Sequence, residues 1–172
     1  MQRAEKGHGG MDGTTGGGMD RTMMRQHYRM LALNLGLSLV IMYVAMFAMI
    51  WRGKEFVQNL NFFYMALVMW APMAIVMLLT MKSMYTDRRL NTALYIGFAL
   101  IAVLSFVAIR DQTIVGDRQF VRSMIPHHSG AILMCERAVF RDPEIRELCF
   151  GPQGLVKSQK REIAQMEAIL DR

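Results

Sequence analysis

Residues 31–51, 61–81 and 92–109 each run without a single charged side chain. At about 1.5 Å per residue, some 20 helical residues reach roughly 30 Å, the thickness of a bilayer's hydrocarbon core. Backbone in lipid must satisfy its own hydrogen bonds, which predicts three transmembrane helices over these ranges. Pro72 lies inside the second, where a membrane helix tolerates it as a kink. Tyr28, Trp51, Tyr64, Tyr85 and Tyr95 fall near the predicted ends, as interfacial aromatics do.

The formal net charge of +6 could signal nucleic acid or an anionic membrane surface. Where the charge sits decides between them. Residues 110–172 hold ten basic and nine acidic side chains, so the excess belongs to the N-terminal segment and the short loops. That pattern fits membrane topology and excludes a nucleic-acid patch. Arg21, Arg25, Arg29, Lys82, Arg88 and Arg89 fall on one side of the spans, with Arg52, Lys54, Arg110, Arg118 and Arg122 on the other. This small bias favours an inside N-terminus and an extracytoplasmic tail, in a multi-pass protein of the cell membrane (inner or plasma membrane).

Residues 1–30 are polar and carry six glycines between Gly9 and Gly18, which predicts a flexible segment. They lack the short apolar core of a secretory leader, and Met19, Met23 and Met24 offer later starts. His8, Met11, Met19, Met23, Met24 and His27 are candidates for loose metal capture.

The tail, 110–172, reads as a helical hairpin. Phe120, Val121, Met124, Ile125, Ala131, Ile132, Cys135, Ala138 and Val139 follow the 3–4 spacing of an amphipathic helix over 117–140, with Asp117 as its cap. Asp142-Pro143 restarts a second helix. Gly151-Pro152-Gln153-Gly154 interrupts that arm, and the pattern resumes at Val156. Two such helices make a meagre core, so the hairpin is expected to pack on a second copy or on the membrane-proximal surface.

The densest chemistry is Met124-Ile125-Pro126-His127-His128, followed by Met134-Cys135. Asp117, Met124, His128 and Cys135 share one helical face, while His127 pairs with Met134. Gln159, Glu162 and Met166 share a face of the second arm. Folding at Asp142 sets that face opposite the His pair. Imidazole, thioether and thiolate together suit a soft or borderline ion such as copper. Adjacent histidines point different ways on a helix, so one alone could ligate, and Met124 and Met166 could equally be core fillers. Cys135 and Cys149 lie equally far from Asp142. A disulfide, two buried thiols and a Cys135 metal ligand all remain open.

Met65, Met69, Met73, Met77 and Met81 form a ladder in the second span, with Met42, Met46 and Met49 a shorter one in the first. A thioether path for Cu(I) is one reading and ordinary lipid-facing residues the other. No nucleophile elbow, phosphate loop or HExxH motif is present, so the chain is not read as an enzyme.

The stretch from Asp117 to Cys135 (Asp-Arg-Gln-Phe-Val-Arg-Ser-Met-Ile-Pro-His-His-Ser-Gly-Ala-Ile-Leu-Met-Cys) resembles the domain-of-unknown-function 305 family. So do Asp142-Pro-Glu-Ile-Arg-Glu-Leu-Cys149 and Ser158-Gln-Lys-Arg-Glu-Ile-Ala-Gln-Met166. The three-span region, with Phe62-Phe-Tyr-Met-Ala-Leu and Ala71-Pro-Met, looks like its membrane-anchored branch. The resemblance implies an all-α protein: three transmembrane helices followed by a C-terminal ferritin-like helical hairpin. It also implies copper handling outside the cytoplasm, with Met124, His127, His128 and Met166 as metal ligands. Asp117, Met134 and Glu162 match further positions of the motif. One departure is Phe150 to Val156, about three residues longer than the family pattern, which tests whether the second arm stays in phase.

The expected function is therefore membrane-anchored copper buffering, sequestration or delivery, the partners being the bilayer, the metal and a second copy through the hairpin. A Met-ladder copper transporter and a metal-free oligomerisation module are the alternatives.

Overall fold

The computed structural model describes the backbone of residues 16–172 and the side chains from residue 22 onward. Among the described residues the chain is all-helical, with no strand. The helices are α1 (Gly16–Ala45), α2 (Leu60–Thr80), α3 (Arg88–Arg110), α4 (Asp117–Arg137), α5 (Pro143–Phe150) and α6 (Leu155–Leu170). Three of them, over Thr22–Ala45, Leu60–Thr80 and Arg88–Arg110, are long and apolar enough to cross a membrane.

Their boundaries correct the hydropathy reading. The segment expected to be flexible up to residue 30 is helical from Gly16, since no glycine or proline interrupts residues 19–35 and Met, Arg and Gln favour helix. Met23, Met24 and His27 therefore lie on α1. His8 and Met11, and the side chain of Met19, lie outside the described residues. At its other end α1 stops at Ala45 instead of Trp51. The chain tightens there into successive three-residue turns, with Phe47, Ala48 and Ile50 amides donating to the Val44, Ala45 and Phe47 carbonyls. The start of α2 is fixed by Asn59, whose side chain accepts from the Phe62 amide. Asp87 does the same for α3 through the Leu90 amide, which moves the start from 92 to Arg88.

In lipid, burying an apolar side chain gains little over leaving it in the acyl chains, so close packing holds spans together. The middle helix supplies it. Ala66, Ala71 and Ala74 of α2 are fully buried, and Ala71 and Ala74 with Leu78 form the close contact to α1 and α3. Trp70 adds an indole hydrogen bond to the Leu35 carbonyl at 2.8 Å. The Met ladder winds across this contact: Met65, Met69 and Met81 are exposed, while Met73 and Met77 pack inward.

The tail folds as α4 and α6 side by side, with the short α5 crossing between them. Val121, Ile125, Ile132 and Ile163 are buried together, and Trp51, Val57, Val156, Met166 and Leu170 pack around them. Each such aliphatic side chain contributes about 1.5–3 kcal/mol when fully buried. Gly116, not Asp117, takes the cap position of α4, and Asp117 becomes its first residue, where a carboxylate still meets the helix's positive end. Helix α4 ends at Arg137, three residues before the expected Phe140. It runs on through Pro126, whose missing N–H leaves the Arg122 carbonyl without its helical donor. Asp142 caps α5 through the Glu144 amide, with Pro143 first in the helix, as the sequence predicts.

The turn 151–154 joins α5 to α6 under tight contact. A Cβ on Gly151 would lie 2.5 Å from the Glu147 carbonyl oxygen, and one on Gly154 would lie 2.7 Å from the Gly151 nitrogen. Both positions therefore exclude a side chain. Between α3 and α4, Gln112 and Ile114 adopt φ of 50° and 64°. A β-branched residue there is sterically strained.

The hairpin does pack on the membrane-proximal surface. Residues 46–59, which join α1 to α2, lie against α4 and α6. Trp51 is the anchor and not a belt residue at the end of a span. Its amide donates to the Ser129 hydroxyl, and its indole Nε1 donates to Glu136 Oε2 at 2.7 Å. Arg52 and Lys160 cations sit 3.8 and 4.1 Å from its ring centroid. Ser129 donates to the carboxylate of Glu55, which is 1% exposed and also accepts from the Arg52 amide at 2.9 Å. Lys54 pairs with Glu167 at 2.9 Å.

Candidate metal centre

Helices α4 and α6 run antiparallel. The Arg118 guanidinium donates to the Leu170 carbonyl, and ten residues further along α4 His128 meets Glu162. That register sets Met124 level with Met166, one turn from the His128–Glu162 pair on each helix. The longer 150–156 segment therefore leaves α6 in phase with α4.

His128 is half-buried and its neighbour His127 is exposed, with ring centroids 6.2 Å apart. Glu162 Oε2 lies 3.0 Å from His128 Nδ1, close but not aligned as a regular hydrogen bond. Burial pushes the His128 imidazole below its ordinary pKa, and His127 adds to the shift. Glu162 pulls the other way without reversing it. The shift favours the neutral ring, the form that can donate a lone pair. With Nδ1 against the carboxylate, Nε2 is the nitrogen left to ligate, the arrangement in which a carboxylate fixes a ligand histidine's orientation.

The other expected residues divide. Met124 and Met166 are half-buried, Met166 against the apolar cluster. Asp117 is exposed in the first turn of α4, about 16 Å along the axis from His128, and the fold does not bring it to the pair. Met134 is exposed on the outer face. Cys135 is bonded to Cys149, with Cα atoms 5.6 Å apart. It therefore offers no thiolate, and of the three readings open in the sequence the disulfide is the one formed. Gln159 is half-buried on α6. Among the described residues, no three His, Cys, Asp or Glu side chains gather as a metal site. A set built here has to include thioether sulfur, and His128 with Met124 and Met166 fits a soft ion chemically.

Sequence reasoning missed Ser129, Glu55, Glu136 and Lys160. Ser129 directly follows the His pair in the family motif. Glu55 was visible as the one acid in a short loop between two apolar spans, a signal that it pairs with something buried.

The family model of a domain of unknown function (DUF305) matches residues 108–170. Uncharacterized protein L153 of Acanthamoeba polyphaga mimivirus is 38% identical over 115 residues, 66% of this chain and 72% of the relative. The chain belongs to the DUF305 family. The likeness to the viral protein is nearly twice as long as the DUF305 match, so it takes in residues outside 108–170. No solved structure matches the chain.

Proposed function

We propose that this DUF305 protein is a non-enzymatic, membrane-anchored metal-binding protein, with copper the favoured ion, that buffers, sequesters or delivers metal outside the cytoplasm. The observation that carries the reading is the half-buried His128, backed by Glu162 and one helical turn from a thioether on each helix. In this reading His128 Nε2 and the sulfurs of Met124 and Met166 hold the ion, and exposed His127 captures it first. The disulfide supports an oxidising, extracytoplasmic side for the hairpin. The ladder in α2 gives the transporter reading little support, because Met65, Met69 and Met81 are exposed and only Met73 and Met77 pack inward.

Cu(I) titration of the full-length chain in nanodiscs, against a competing chromogenic chelator, tests the site. Wild type should bind one equivalent that His127→Ala/His128→Ala loses. Equal stoichiometric binding by both would overturn the assignment.

A second reading has its own observation. Met134, Val139, Leu148 and Phe150 are exposed around the disulfide, Val139 at 91%. A second copy meeting this face would complete a ferritin-like four-helix unit. Mass photometry with and without copper separates the two: metal-indifferent dimers favour an oligomerisation module.

A further inference from the structure

A groove of about 480 Å³ opens where α1, α2 and the start of α4 meet. It lies at the level where the spans end, on the hairpin's side. Its walls differ in chemistry. Val40 and Phe63, from the facing ends of α1 and α2, are apolar and exposed, Val40 at 62%. Tyr43 continues this wall and its hydroxyl accepts from the Asn59 amide. The opposite wall is Gln119 and Arg122, one turn apart on α4. Arg122 is the single charged residue of the lining and has no acidic partner among the described residues. Gln119 Oε1 is enclosed without a hydrogen-bond donor. The first turn of α2, which begins at this groove, adds the positive end of its dipole.

We propose that this groove holds one anionic glycerophospholipid with a hydroxyl-bearing headgroup, drawn from the surrounding leaflet. The phosphodiester meets the Arg122 guanidinium, a headgroup hydroxyl donates to Gln119 Oε1, and an acyl chain lies along Val40 and Phe63. The unpaired cation selects a net-negative lipid, and the unsatisfied acceptor selects a headgroup with a donor. Phosphatidylcholine has neither property, since its choline carries no N–H or O–H and is itself cationic. The inference rests on α1–α3 crossing a bilayer, but not on metal at His128.

Native mass spectrometry tests it on the full-length chain. The protein is reconstituted in vesicles of equal phosphatidylglycerol and phosphatidylcholine, then extracted in mild detergent. Wild type should retain one phosphatidylglycerol with a preference of about fivefold to tenfold, the worth of one basic contact at a membrane surface. Arg122→Gln should abolish the preference, Arg122→Lys should keep most of it, and Gln119→Leu should reduce it. Millimolar glycerol phosphate should displace nothing; displacement would mean a soluble-phosphate site and overturn the lipid. Equal retention of the two lipids by wild type, or full preference in Arg122→Gln, also overturns it. Should Arg122→Gln fail to fold, wild-type selectivity and Gln119→Leu decide. A wild-type chain that does not enter vesicles refutes the membrane reading and this proposal together, whereas incorporation without selectivity refutes the site alone.

Discussion

Replacing Ser129 by alanine should detach the interspan loop from the hairpin. Ser129 is fully buried, and its hydroxyl does two things at once: it donates to the Glu55 carboxylate and accepts the Trp51 amide. Losing a hydrogen bond to a charged group costs about 1.5–3 kcal/mol, and a buried N–H left without a partner costs about 1–3 kcal/mol. The two share one atom and do not add fully, so a combined loss of about 3 kcal/mol is the working figure. That corresponds to roughly a hundredfold rise in the opening equilibrium of residues 51–55. Amide hydrogen exchange of the full-length chain in nanodiscs, read by mass spectrometry over this loop, measures it directly. Ser123→Ala is the control, because Ser123 is also buried on α4 but bonds to Asn61 and the Phe120 carbonyl, away from Trp51. Loop exchange in Ser129→Ala within about threefold of wild type, or an equal rise in Ser123→Ala, would refute the reasoning.

Opening the Cys135–Cys149 bond by Cys135→Ser/Cys149→Ser frees a loop of 14 residues' separation and should destabilise the hairpin by about 3 kcal/mol, seen as a lower thermal midpoint by circular dichroism. Gly154→Ala should lower the same midpoint, while Gly130→Ala, whose new methyl would sit an ordinary 3.6 Å from the Met49 carbonyl, should hold or raise it. Because burial depresses the His128 pKa, the unfolded chain takes up that proton first. Stability from this group is therefore whole above about pH 6.5 and falls as the pH drops below it. Glu162→Gln removes the one upward influence, so the His128 titration followed by NMR should move further down; an upward move would contradict the assigned pairing. The hydrogen bond from Lys160 holds the Glu136 carboxyl below its usual value, so the Trp51 contact should survive acidification through the ordinary carboxylate range and be released only at lower pH, read as a fluorescence change in a Trp70→Phe background.

The three spans were legible because lipid imposes a length and forbids charge, and both are local properties of the sequence. Their ends were not, because caps such as Asn59 and Asp87 fix them through single hydrogen bonds that hydropathy does not register. The hairpin's register was legible once Asp142-Pro143 marked the turn: His128 and Glu162 meet although the glycine-bounded segment 151–154 lies between. Asp117 shared a face with His128 but not a level, and periodicity reports only the face. The Trp51–Ser129–Glu55 junction was out of reach. It joins residues 78 apart, and an indole at the end of an apolar run looks the same whether it meets lipid or protein.

Helix α4 behaves as a beam with three supports. Asn61 of α2 reaches Ser123 and the Gln112 side chain near its start, Ser129 bears on Trp51 and Glu55 past its middle, and Glu136 meets Trp51 near its far end. His127 and His128 lie next to the Ser129 support, where such a beam deflects least. Among the described residues, helix α5 is held chiefly by the disulfide and α6, and it overhangs with Ile145, Leu148 and Phe150 outward. A load on that overhang therefore falls on the disulfide and on α6, the helix that carries Glu162.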